Sequence, residues 1–264
     1  MPNIRTINTV RIRSYLFRLP LFTRFALILI VLLWALGLQT VWDLRKWGSL
    51  IPSEVSLLAA HRLTTYPLIH LNVFHAALNV IALAPLLERF EYEYGTLNTV
   101  ALFFGPLTSF PGLLYLFIES LILRSNNAIM GASIWVFLLL GMEAIKTYKT
   151  NPYLVIGTHH IPTWTTPLLM VFVIAVLMPS TSLLGHLCGI AIGYFAGLGY
   201  VKYLTPPEGI LRAVESRLNL LAILPHYVSV DQKTYGRFGV LPSNSRPGGS
   251  PATELVGSTQ RLGP

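Results

Sequence analysis

Two side chains in this sequence are placed to do covalent chemistry: Ser133, in Gly131-Ala132-Ser133-Ile134, and His186, in Gly185-His186-Leu187-Cys188-Gly189. Each is expected about a turn inside an apolar, uncharged segment. A polar side chain in hydrocarbon is costly, so it needs a partner or a function. If the two face each other, they form a nucleophile and its general base. A lone serine in such a helix ordinarily bonds its own backbone, and a lone histidine can serve as a structural hydrogen-bonder, so the reading rests on the pair. Gly131 lets a backbone or a substrate approach the serine closely.

The background is that of a membrane protein. Of 264 residues, 53% are hydrophobic and 11% charged, with a mean hydropathy of +0.59. Soluble domains carry roughly 25% charged residues. The net charge of +8 does not point to nucleic acid, because the basic residues flank apolar runs, where membrane topology accounts for them. Cys188 is the single cysteine, so no internal disulfide forms, and a small buried apolar role suits it. No metal or other cofactor is expected.

The elements that must position Ser133 and His186 follow from the uncharged runs. A basic segment, residues 1–24, carries Arg5, Arg11, Arg13, Arg18 and Arg24 and no acidic residue, which places the N-terminus in the cytosol. A first span is expected over 25–42, as a retained signal anchor without a small-residue cleavage site. A lumenal loop follows to about residue 66, with His61 at the interface. Further spans are expected over 68–87, 97–118, 128–142, 166–178 and 183–200. Glu88–Glu93 reads as a short cytosolic turn, and His159 and His160 as exposed in a cytosolic loop. The catalytic core is thus 25–203, and residues 204–264 are a cytosolic tail, largely disordered, rich in Gly, Pro and Ser after about Pro225. The fold class is an all-α polytopic bundle of six transmembrane helices.

In that topology the second, fourth and sixth spans all run from lumen to cytosol. His75 and Asn79, Ser133, and His186 come early in the three, so they share a layer roughly 5–10 Å below the lumenal surface at ~1.5 Å per residue. His75 and Asn79 lie four apart, on one face. Attack on a carbonyl develops an oxyanion, for which Asn79, His75 and the Ser133 backbone N–H are the available donors. Gly185, Gly189, Gly193 and Gly197 recur every four residues. Such a stripe permits close helix contact, expected between the sixth and fourth spans, and its function is packing.

Rival intramembrane chemistries lack their residues. There is no His-Glu-x-x-His, and the two aspartates, Asp43 and Asp231, lie outside the spans.

With these residues in place, the sequence resembles the rhomboid intramembrane serine proteases. The matching residues are Gly131-Ala132-Ser133-Ile134, His186 with Gly189 and Gly193, and His70, His75 and Asn79, in the family's order over about 25–203. The resemblance implies a Ser133–His186 dyad without a third acid. It also implies an oxyanion hole from His75 and Asn79, a supporting place for His70, and cleavage of single-pass membrane proteins in or near their transmembrane segments. The Trp-Arg pair that many members carry in the first lumenal loop is not evident. The six-span core and long tail resemble the fungal Golgi-type subfamily, as does Tyr235-Gly236-Arg237-Phe238-Gly239-Val240-Leu241-Pro242. That likeness implies a Golgi membrane, while six spans return the C-terminus to the cytosol, in agreement with Lys202, Arg212 and Arg217. The terminus around Leu255, Gly257 and Leu262 resembles a box that recruits a hexameric AAA unfoldase, with Leu255 for an aromatic and Thr259 for a glycine. The alternatives are a catalytically silent relative that binds membrane clients, which retention of both Ser133 and His186 disfavours, and a small transporter, which the near-lumen depth of the polar layer disfavours.

Overall fold

A computed structural model describes residues 9–234. The segment Tyr235–Pro242 and the box around Leu255, Gly257 and Leu262 lie outside the described residues. The element order is α1 (Thr9–Arg18), α2 (Leu21–Leu36), α3 (Val73–Tyr94), α4 (Thr96–Phe103), α5 (Pro106–Phe117), α6 (Ser133–Thr150), a hairpin of β1 (Tyr153–Ile156) and β2 (His159–Pro162), α7 (Thr166–Leu177), α8 (Leu183–Gly197) and α9 (Glu208–Leu218), with short helical turns between them. Val73–Tyr94 and the kinked unit Thr96–Ile122 are long and apolar enough to cross a membrane. Leu21–Leu36, Thr163–Leu177 and Leu183–Gly197 are shorter apolar helices.

The centre of the molecule is α6. Its residues Ile134–Leu139, Gly141, Met142 and Ala144 are buried all round, as a helix enclosed by neighbours must be apolar on every face. Helices α3, α6 and α8 run parallel, and contacts at both ends show it. At one end the His75 ring lies against Gly131, and His186 meets Ser133. At the other, Lys146 pairs with Glu93 at 2.6 Å and Lys149 donates to the Gly197 carbonyl at 3.0 Å.

Those pairs explain where sequence-based boundaries fail. The expected span 68–87 with a charged turn at 88–93 is instead one helix through Tyr94, and the expected 128–142 extends to Thr150 while starting at Ser133. Charge ends a hydrocarbon run but not a helix: Arg89–Glu143 and Lys146–Glu93 pair across α3 and α6. The first apolar helix is Leu21–Leu36 rather than 25–42, and the basic segment before it is partly helical, as α1. The expected 97–118 breaks at Gly105-Pro106, since proline blocks a helical residue before it, and ends in a π turn, Ile118–Ile122. The hairpin departs from the all-α expectation, with His159 and His160 exposed on it.

The expected disorder from residue 204 does not hold through 234. Helix α9 forms, and Tyr227, Val228, Ser229 and Val230 are buried. The His226 carbonyl accepts from Leu21 N–H, Thr96 N–H donates to the Val228 carbonyl at 2.8 Å, and Tyr227 Oη donates to Glu215 at 2.8 Å. Lys233, hydrogen-bonded to Glu208 at 2.6 Å, holds that carboxyl below the usual range.

Glu91 ties this end together. Fully buried, it accepts from Phe22 N–H, Thr23 N–H, Thr23 Oγ1 and Thr96 Oγ1 at 2.7–2.9 Å. It therefore caps the start of α2, whose first amides have no partner within the helix. Glutamine there has one acceptor oxygen and turns two donors toward donors. Glu91→Gln is expected to cost about 1–3 kcal/mol, read as thermal stability in detergent; unchanged stability would remove Glu91 from this role.

Candidate active site

Three helix starts supply the polar layer, each set by local sequence. Asn72 Oδ1 caps α3 by accepting from His75 N–H at 2.8 Å, and Ser182 Oγ caps α8 by accepting from Gly185 N–H at 3.1 Å. Ser133 is the first residue of α6, not a turn inside it. Because the helices are parallel, their N-termini and the amides that lack intrahelical partners gather at one level. Both caps are legible in the sequence as Asn or Ser three residues before the amide they accept from.

The loop entering α6 is fixed from several sides. Leu50 and Ile129 exchange both backbone hydrogen bonds at 3.0 Å, and Gly131 N–H donates to the Tyr66 carbonyl at 2.9 Å. Ala132 N–H donates to His70 Nε2 at 3.2 Å, while His70 Nδ1 lies 3.2 Å from the Leu68 carbonyl. That pair assigns a neutral ring with its proton on Nδ1, so His70 braces the Gly131–Ala132 peptide, one residue ahead of Ser133. Arg62, nearly buried, donates to the Lys46 and Ser49 carbonyls at 2.6 and 2.7 Å and pairs with Glu54. It organises the preceding loop, where His61 stacks on Trp47 at 4.7 Å. The signal for Arg62 was a lone cation in an otherwise apolar approach to the second span.

Within this frame Ser133 Oγ and His186 Nε2 stand 2.9 Å apart. The serine hydroxyl donates to a neutral ring, which leaves the proton on Nδ1. That nitrogen is buried and has no hydrogen-bond partner among the described residues. The ring is held by packing instead, against Phe137 at 4.5 Å. Both ring nitrogens of His75 and the Asn79 amide nitrogen are likewise buried without a partner among the described residues. Asn79 lies one turn along α3 from His75. A cleft beside the pair, bordered by Tyr66, Met130, Gly131, Ser182 and Gly185, has an inner space of ≈ 20 Å³, and a water needs roughly 10–15 Å³.

Glycines set the approach. Gly131 has φ +114°, and a Cβ there would stand 2.5 Å from His75 Cε1. Gly131→Ala is expected to displace the His75 ring and strain the turn, lowering cleavage by about 10²-fold; wild-type rates would show that the ring is free to move. Along α8, a Cβ at Gly189 would be 2.7 Å from the Ile134 carbonyl oxygen, and one at Gly197 2.6 Å from that of Met142. Gly193 abuts the Leu138 carbonyl more closely still. Gly185 differs from the other three: it meets Ser182 and Ile129 at ordinary distances of 3.5–3.6 Å and lies on the cleft rather than in the helix seam. Cys188 is buried in the apolar core.

Comparison with known proteins adds to this geometry. A family model described as Rhomboid domain matches residues 57–203. The chain is 64% identical over 265 residues to a Gibberella zeae protein named Rhomboid-type serine protease 2, covering 100% of this chain and 99% of that one. It is 58% identical over 287 residues to a Podospora anserina protein of the same name, covering 100% and 99%. A Saccharomyces cerevisiae protein of that name is 34% identical over 203 residues, covering 75% and 77%.

Proposed function

Because the chain belongs to the rhomboid family and is an intramembrane serine protease, we propose that Ser133 is its nucleophile and His186 the general base. The observation that carries this assignment is the 2.9 Å separation of Ser133 Oγ and His186 Nε2 at the cleft. Ser133 Oγ attacks the scissile carbonyl as Nε2 takes its proton; Nε2 then returns that proton to the leaving amine, and an acyl-enzyme remains. Water entering the cleft hydrolyses the ester by the same exchange. Charge on the carbonyl oxygen is met by the Ser133 N–H, at a helix start, with His75 and Asn79 as side-chain donors.

Rhomboid proteases act on transmembrane substrates within the bilayer, and single-pass proteins cut in or near the transmembrane segment are the substrates proposed here. Six spans are proposed: α2, α3, the kinked α4–α5 unit, α6, α7 and α8. The arginine-rich start favours a cytosolic N-terminus, and six spans would return the C-terminus to the same side. A Golgi membrane and an AAA unfoldase bound through Leu255, Gly257 and Leu262 rest on the subfamily likeness of the tail.

The test is to treat the protein, in phospholipid vesicles, with a fluorophosphonate and locate the adduct by mass spectrometry. The adduct is expected on Ser133 with cleavage of a co-reconstituted single-pass substrate blocked. An adduct on another serine, or cleavage that persists, would overturn the assignment.

A further inference from the structure

The hairpin between α6 and α7 is not used by the chemistry, and its composition is unlike that of a solvent loop. Its register pairs Tyr153 with Pro162, Leu154 with Ile161, Val155 with His160 and Ile156 with His159. Residues paired across strands share a face, so Tyr153, Val155, Pro162 and His160 lie on one face, and Leu154, Ile156, Ile161 and His159 on the other. Each face therefore pairs apolar with apolar residues at the base and an apolar residue with a histidine beside the tip at Gly157-Thr158. Tyr153, Leu154, Val155 and Ile156 are 46–58% exposed, four in succession.

Three environments can be weighed against that pattern. In water, an isolated two-stranded hairpin is marginal at best, and exposed apolar residues on both sides make it an aggregation site. A protein partner on a sheet face covers one face only. In lipid both faces are covered at once, but each strand also presents an outer edge of unpaired N–H and C=O groups, which the hydrocarbon interior does not tolerate. The pattern therefore fits the boundary between headgroups and acyl chains, where apolar side chains are solvated by lipid and backbone edges by water and headgroups.

The attachment points agree. The base is closed by Thr163 N–H donating to the Pro152 carbonyl at 2.9 Å and Thr163 Oγ1 donating to that of Asn151 at 2.6 Å. Next comes Trp164, whose carbonyl accepts from Tyr194 Oη at 2.5 Å, and paired Trp and Tyr are interfacial anchors. Helix α7 follows, with Leu169, Phe172 and Val173 exposed to the same degree as the hairpin. The hairpin thus continues the lipid-facing surface of α7, at the end of the bundle opposite the Ser133–His186 cleft.

We propose that the hairpin Tyr153–Pro162 is an interfacial membrane anchor, held edge-on in the phospholipid headgroup boundary with lipid against both faces and fixing the start of α7. This rests on α7 spanning the bilayer, as proposed above. Helix α7 buries only Pro167 and Val171, so its position depends on its ends more than on its flank.

The test uses the full chain with Cys188→Ala, carrying one cysteine at a time by Leu154→Cys, Val155→Cys or Phe172→Cys. Each is labelled with an environment-sensitive fluorophore and reconstituted in phosphatidylcholine vesicles containing phosphatidylglycerol. The labels at 154 and 155 are both expected to be quenched more by lipids spin-labelled near the headgroup than by lipids labelled near the chain end. Both are also expected to be several-fold less accessible to aqueous iodide than the same label in detergent-free urea-unfolded protein. The label at 172 should show the opposite depth preference. If 172 is lipid-quenched while either hairpin label is open to iodide, the anchor proposal fails; one open face identifies a flat-lying or protein-docking hairpin. If 172 itself is open to iodide, the spanning reading of α7 fails instead.

Discussion

Ser133→Ala is expected to abolish cleavage of a single-pass substrate in vesicles, with a loss on the order of 10⁴-fold or more, and to leave the fold intact. Only one hydroxyl is removed, from the first residue of α6, and its recorded hydrogen bond is to His186 Nε2. His186→Ala is expected to lose as much. The double variant should be no worse than either single one, because the two groups act as one unit and removing either removes the activated nucleophile. Rates are read by gel or mass spectrometry, with thermal unfolding in detergent as the control. Losses that multiply in the double variant would mean that serine and histidine act in separate steps. Activity unchanged in Ser133→Ala would sink the mechanism.

Gly193→Ala is expected to be the most damaging added methyl among the described glycines of α8. Its Cβ would overlap the Leu138 carbonyl oxygen and stand 2.9 Å from the carbonyl carbon and 3.0 Å from Cα. These are backbone atoms in the middle of α6, with no rotamer to relax into, so α6 and α8 must separate. The cost is about 3 kcal/mol or more, the upper range for overpacking. Gly193 lies two turns from His186, so the same separation draws Nε2 away from Ser133. Gly185→Ala is the matched comparison: its Cβ meets Ser182 and Ile129 at 3.5–3.6 Å, and stability within about 1 kcal/mol of wild type is expected. Thermal unfolding of both variants, with fluorophosphonate labelling of Ser133 in whatever remains folded, checks the pair. Equal stabilities would show that the seam yields and that glycine is not required there.

The contrast between Gly185 and Gly193 shows how far a four-residue repeat can be read. The spacing places four glycines on one face of α8, and that follows from helical geometry alone. What lies opposite each of them depends on where α6 begins. Since α6 starts at Ser133, Gly189, Gly193 and Gly197 meet the Ile134, Leu138 and Met142 carbonyls, while Gly185 falls beyond the end of α6 and opens onto the cleft.

The sequence by itself pointed to the membrane class, to Ser133 and His186 as the candidate pair, and to one expected layer for His75, Asn79, Ser133 and His186. Each rests on local cost: charge avoids hydrocarbon, and a polar side chain in it needs a reason. Tertiary structure alone decided the helix limits around Glu88–Glu93 and Glu143–Lys149, because charges that pair across helices need not end them. It alone decided that residues 227–230 are packed and that their segment bonds back to Leu21, Tyr92 and Thr96, more than a hundred residues away in sequence. It alone gave Glu91 its four donors and His70 its place at the Gly131–Ala132 peptide. Composition reports the solvent a segment prefers; which distant group satisfies a buried polar atom is settled only when the helices pack.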